Sequence, residues 1–236
     1  MARYNEQRRL RERECVFDVS ALQRLAAKSV SRDSNEILSM KKLGEGAANR
    51  AFLIEFHDGL RLVARIPYPV TQPGGSIVAS EAATMVFLRS QGIPVPQVYG
   101  YSGTADNLAK TEYIFMEFSP GAQLSTLWSD MNEHDQLRFV KSLVDLEGRL
   151  SNMSLPASGS LYFRRDLPAD RQKIAVHHSD TETPDSIYIG PSTSLDLWYG
   201  RRSELDAERG PCKCIMHKIP LFANTIVSQS LMSKRC

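Results

Sequence analysis

Two glycines, an asparagine and an arginine carry the first hint of chemistry in the chain. Gly44 and Gly46 flank Glu45 in MKKLGEGAANRAFLIEFHDGLRLVARIP (residues 40–67), and Asn49 stands where a third glycine could stand. Arg65 follows sixteen residues after Asn49. A glycine loop lets backbone N–H groups approach phosphate oxygens, because no side chain intervenes. A cation on a neighbouring strand then holds the phosphate charge. The set points to a cradle for a nucleotide.

Such a cradle needs strands to hold it. Asp58-Gly59 lies between two apolar runs and signals a hairpin. Residues 40–67 therefore read as strand, glycine loop, strand, tight turn, strand. Along residues 60–66, Leu62, Ala64 and Ile66 face one way and Arg61, Val63 and Arg65 the other. Val63 can thus touch whatever Arg65 holds. Residues 68–75 form a Pro/Gly-rich loop. Residues 76–91 read as a helix from their alanine-rich middle, with Glu81 as its only acid and Gly92 and Pro94 ending it. IPVPQVYG (93–100) reads as an extended linker, since its prolines exclude a central strand. Residues 101–110 read as a polar loop, and TEYIFMEF (111–118) as a strand ending at Ser119-Pro120-Gly121.

Upstream, residues 3–30 read as helical, with an apolar stripe through Phe17, Leu22 and Ala26 and with Asp18 or Ser20 as caps. Downstream, helices are expected over 123–131 and 133–151. The second carries Leu137, Val140, Leu143, Val144, Leu146 and Leu150, a stripe expected to be buried. Beyond Asn152, short strands are expected in LPASGSLYFRRDL and IYIGPSTSLDLW, and a short helix in SELDAERG.

Composition narrows the function. The 236 residues are 42% hydrophobic and 24% charged, ordinary for a globular chain. A net charge of +2 makes no electrostatic case for nucleic acid. No apolar run reaches the roughly 18–20 residues of a membrane span. Cys15, Cys212, Cys214 and Cys236 form neither a disulfide scaffold nor paired zinc spacing, which fits a reducing compartment. The arginine-rich start also carries Glu6, Glu12 and Glu14. Transit peptides are poor in acids, so the start reads as a solvated charged helix.

The order of these parts resembles the small lobe of the protein-kinase-like fold. Within it, the chain is similar to the fungal aminoglycoside phosphotransferase and choline-kinase-like family. The resemblance rests on KLGEGAANRAF (42–52), VARIPYP (63–69), SEAATMVFLRSQGIPVPQVYGYS (80–102), EYIFMEFSPG (112–121), GSLYF (159–163) and IGPSTS (189–194), and runs from about Phe17 to Pro211. It implies an α+β fold: a five-stranded antiparallel small lobe with one packed helix, then a partial helical large lobe. The implied divisions are a helical lead-in (1–35), the small lobe (36–118), the partial large lobe (119–210) and a divergent tail (211–236). ATP is the implied ligand, with Gly44, Gly46 and Asn49 over its phosphates. Arg65 stands in the place of the phosphate-binding lysine, and Glu81 pairs with it. Ala51 and Val63 line the adenine slot, and Glu117 and Phe118 form the hinge. Arginine is a departure: it keeps the charge but offers a planar fork rather than a point donor.

The catalytic half of the resemblance is missing. The family expects Mg²⁺, an HxD loop with an Asn five residues after the Asp, and a later metal-binding Asp. Only His178-Ser179-Asp180 fits H-x-D, with Asp185 at the Asn position, in a polar loop ahead of IGPSTS. It reads as a chance match. No catalytic residue and no metal ligand is therefore assigned, and the end of the resemblance near Pro211 reads as a truncated product or a divergent tail. The family implies a mitochondrial location, whereas composition alone fits the cytoplasm. Neither an acceptor nor a protein partner is specified. Other readings stay open at this point. The glycine pair can be a tight turn only, Arg65–Glu81 a structural ion pair, and the chain an interaction module without a ligand. Trp128 and Trp198 read as packing residues, and His57, His134 and His217 as surface residues.

Overall fold

A computed structural model describes residues 11, 13–69, 73, 75–176, 183–198 and 200–213. His178-Ser179-Asp180, His217, Cys214 and Cys236 lie outside them.

Helix α1 (Val19–Ser29) starts where Asp18 caps it, its Oδ1 accepting from the Ala21 N–H at 2.8 Å. Residues 14–18 are not helical, against the reading of 3–30 as helix. The Asp18 N–H donates to the Ala109 carbonyl at 2.9 Å, which ties this segment to a distant loop instead of an upstream turn. Residues 3–10 and 12 of that reading lie outside the described residues.

Five strands form one antiparallel sheet, the number that the resemblance implies. They are β1 (Ile37–Glu45), β2 (Asn49–Phe56), β3 (Arg61–Pro67), β4 (Val98–Ser102) and β5 (Tyr113–Glu117), in the order β1-β2-β3-β5-β4. Gly59 takes φ +89° in the β2–β3 turn, a conformation that disfavours any side chain. β4 corrects the reading of 93–100 as linker and 101–110 as loop. Pro94 and Pro96 stop short of Val98, and an edge position tolerates prolines beside it. Leu62, Ala64 and Ile66 are buried with Ile54, Phe56 and Phe115 against Ala21, Leu22, Ala26 and Ala27 of α1. This face is the core of the first sheet, as the alternation along β3 predicts.

The opposite face meets α2 (Ser76–Ser90). Gly92, at φ +73°, ends this helix, and the Ile93 N–H bonds back to the Leu88 carbonyl at 3.0 Å. Ala83, Phe87 and Leu88 of α2 pack against Leu161, Phe163 and Ile189. Those three belong to a second antiparallel sheet of β6 (Ser160–Phe163), β7 (Ile174–Ala175) and β8 (Ile187–Gly190), ordered β6-β8-β7. Helix α2 thus sits between two sheets.

The segment after β5 is less helical than expected. α3 (Leu124–Leu127) covers only part of 123–131. α4 (Glu133–Ser151) has the expected bounds, and the Asn132 Oδ1 accepts from the Asp135 N–H at 2.9 Å as its cap. Its stripe is not buried as expected. Leu146 and Leu150 pack on the α2–β6 cluster, but Leu137, Val140, Leu143 and Val144 are exposed. On the first turns of α4 the Trp128 ring meets Phe139 edge-on at 6.1 Å and Gln136 Nε2 donates to the Trp128 carbonyl at 2.8 Å, which leaves the stripe itself uncovered. α5 (Leu195–Trp198) is a single turn. No described helix is long and apolar enough to cross a membrane.

Burial makes the two apolar sets energetically unequal. Leu22 is fully buried, while Leu137 is 52% exposed. Leu22→Ala is expected to cost roughly 2–5 kcal/mol, and Leu137→Ala no more than about 0.5 kcal/mol. Chemical denaturation of both variants checks this.

Candidate functional site

Arg65 is the centre of the site, and strand register puts it there. Alternation along β3 turns its side chain away from the Leu62–Ala64–Ile66 core. Ala51 of β2 lies directly opposite Arg65, and Asn49 opposite Pro67. Asn49 is therefore a diagonal neighbour of Arg65 on one face. With its amide oriented to satisfy both ends, the Asn49 oxygen accepts from Arg65 Nη2 at 2.7 Å and from Nε at 3.0 Å. Arg65 Nη1 pairs with Glu81 Oε1 from the second turn of α2. Each side chain of this ion pair keeps 28% of its surface exposed. Burial pushes the guanidinium pKa down, yet a guanidinium stays charged in proteins.

The glycine loop is anchored at its base and open at its surface. The Gly46 N–H donates to the Asn49 carbonyl at 2.9 Å and closes the β1–β2 hairpin. Between the glycines, Glu45 pairs with Lys42, accepts from the Tyr68 hydroxyl at 2.6 Å, and lies 3.4 Å from Arg50 Nη2. The Lys42 ammonium and then the Tyr68 hydroxyl hold the Glu45 carboxyl down at about 2. A side chain at Gly44 would meet no atom within 4 Å, and one at Gly46 only Asn49 atoms at 3.7 and 3.8 Å. Packing therefore does not demand either glycine. What their absence of side chains does is leave the loop's backbone bare. Asn49 does not use the left-handed conformation that its place in the glycine pattern allows; it is the first residue of β2.

Beside Arg65 runs an apolar strip. Val63 faces Leu53 across β2 and Met116 across β5. With Ala51, these residues are half-buried. At the far end, the Glu117 N–H already donates to the Gln97 carbonyl at 2.8 Å. Its carboxylate accepts from the Gln97 N–H at 3.0 Å and Arg89 Nη1 at 3.3 Å. The Phe118 ring lies under the Arg61 guanidinium, 4.4 Å from Cζ to centroid. The structure thus brings Asn49, Ala51, Val63, Arg65 and Glu81 onto one face. Gly44 sits at the end of β1 and Gly46 in the turn that follows, with Glu117 and Phe118 at the strip's end.

Sequence reasoning missed Tyr68 and the role of Glu45. The signal for Tyr68 was present: the alternation Leu62–Ala64–Ile66 continues to it, and it is buried. Among the described residues no group of three or more His, Cys, Asp or Glu comes together. Asp185 is paired with Arg165. A separate cavity of about 380 Å³ borders the second sheet, away from Arg65. On its wall Arg209 stacks on Trp198 at 3.9 Å and gives its N–H groups to backbone carbonyls.

The description "phosphotransferase enzyme family" matches residues 39–209. A subtelomeric hrmA-associated cluster protein of Aspergillus fumigatus is 36% identical over 73% of this chain and 32% of its own length. Altered inheritance of mitochondria protein 9, mitochondrial, of Yarrowia lipolytica is 28% identical over 75% of this chain and 33% of its own. The protein of that name from Saccharomyces cerevisiae is 27% identical over 72% and 30%. The chain spans about a third of the length of these relatives.

The Glu45 contacts make the loop acid-sensitive. Its folded pKa is lowered from 4.5 to about 2, so its contribution is complete above pH 4.5 and is lost as pH falls towards 2. Glu45→Gln is expected to melt below the natural chain at pH 6, with the gap closing as pH approaches 2. Thermal melts across that range check it.

Proposed function

We infer that this chain, which belongs to the phosphotransferase enzyme family, holds ATP on the Arg65 face of its five-stranded sheet. One observation carries the reading: Arg65 is clamped between Asn49 and Glu81, beside a bare glycine loop and an apolar strip. The strip of Ala51, Leu53, Val63 and Met116 suits a purine ring, which needs an apolar bed. The side-chain-free backbone at Gly44 and Gly46 lets phosphate oxygens come close, with the Gly46 N–H itself given to the Asn49 carbonyl. Arg65 supplies the positive charge, and Glu81 keeps that charge oriented when no ligand is present. The hinge role of Glu117 and Phe118 belongs to this proposal, with the Glu117 N–H engaged by Gln97.

The proposal stops at binding. Phosphoryl transfer needs one Asp to orient the acceptor hydroxyl and another to hold Mg²⁺. We assign no residue to the metal, and no step is routed through Mg²⁺. Within these 236 residues we assign no catalytic group. Transfer of phosphate to a small-molecule hydroxyl is proposed for the longer relatives, as is a mitochondrial location for this chain.

Thermal shift with ATP, with and without Mg²⁺, tests the site. At a ligand concentration of 100 times Kd, binding stabilises the fold by roughly 2.7 kcal/mol. A rise in Tm is expected for the natural chain and none for Arg65→Ala. The double variant Gly44→Ala, Gly46→Ala is expected to keep its own Tm, since packing admits both methyl groups, and to lose the ATP shift. Turnover of labelled ATP onto alcohols above that double variant would overturn the non-catalytic part.

A second reading, a non-catalytic interaction module, is favoured by the exposed Leu137, Val140, Leu143 and Val144 of α4. Replacing Leu137 and Val144 by Lys is then expected to abolish a stable complex without altering the ATP shift. Co-purification of the natural and substituted chains separates the two.

A further inference from the structure

We propose that Asn49 is a positioning residue that fixes Arg65 as a two-point phosphate donor, so that the arginine cannot be replaced by lysine. The proposal rests on the nucleotide reading above. Arg65 commits Nε and one N–H of Nη2 to the Asn49 oxygen, and one N–H of Nη1 to Glu81. Each terminal nitrogen keeps one further N–H with no partner among the described residues. The guanidinium is planar, so holding it from two sides fixes where both remaining N–H groups point. A lysine ammonium facing the same two acceptors keeps a single N–H for a ligand.

Charge explains why the second acceptor is an amide. Glu81 neutralises Arg65 once. A second carboxylate at position 49 makes the trio net negative and repels a phosphate. The Asn49 amide supplies an acceptor without that charge. Its place is secured by the backbone: Asn49 closes the glycine hairpin through its carbonyl and opens β2. The loop and the cation are thereby joined through one residue. The unusual arginine and the asparagine in the glycine pattern are then two halves of one device.

The test compares ATP, tripolyphosphate and adenosine binding by calorimetry for the full chain and four variants. Asn49→Ala and Arg65→Lys are each expected to weaken ATP and tripolyphosphate by about tenfold or more, the loss of one charge-assisted hydrogen bond. Adenosine affinity is expected to stay unchanged. Asn49→Asp keeps both acceptor bonds and is expected to weaken ATP as much while its Tm does not fall. The double variant Asn49→Ala, Arg65→Lys is expected to lose less than the sum of the singles, because the pair acts as a unit. Natural affinity for ATP in Arg65→Lys overturns the two-point donor and leaves the nucleotide reading standing. Equal losses for ATP and adenosine mean a structural role only and overturn the proposal. Binding of adenosine but not ATP by the natural chain overturns the phosphate role of Arg65 alone. No binding of any probe overturns this proposal and the nucleotide reading together.

Discussion

A partly buried arginine needs a partner, and much of this structure follows from that need. Removing a guanidinium from water costs several kcal/mol unless charge and hydrogen bonds are restored. Arg65 lies on the sheet face opposite the α1 core, and Glu81 comes to it from α2. The ion pair therefore ties helix to sheet across the one side of the sheet that the core does not hold. It also leaves a cation at the edge of an apolar strip, which is poor for stability alone and well suited to an anionic ligand with an apolar end.

The two faces of the first sheet divide the labour. One packs Leu62, Ala64 and Ile66 on α1 and supplies stability. The other carries the half-buried Ala51, Leu53, Val63 and Met116 and the polar trio. Strand alternation makes this division possible, because neighbouring residues point to opposite faces without extra chain. The hairpin between β1 and β2 extends the second face. Glu45 anchors its base to Lys42 and Tyr68, which lets the rest of the loop stay bare without losing its shape.

Local patterns carried far in the sequence, and long-range ones did not. The β2–β3 hairpin was legible from Asp58-Gly59, and the end of α2 from Gly92, since both depend on one residue's backbone freedom. The partnership of Arg65 with Glu81 was legible only through family resemblance. Edge strand β4 was obscured by Pro94 and Pro96, whose exclusion applies to central strands. The amphipathic pattern of α4 identified a helix correctly but not its burial, because a stripe does not say what lies against it. Asn49 looked like a glycine substitute; its reach to Arg65 depends on cross-strand register, which no short motif encodes.

Helix α2 has one further consequence. Its Ala83, Phe87 and Leu88 rest on Leu161, Phe163 and Ile189, while its Glu81 reaches back to the first sheet. A close-packed contact passes displacement on instead of absorbing it. The second sheet therefore acts as the seat on which this helix is levelled. The aim of Arg65 is set partly by residues about a hundred positions or more further along the chain.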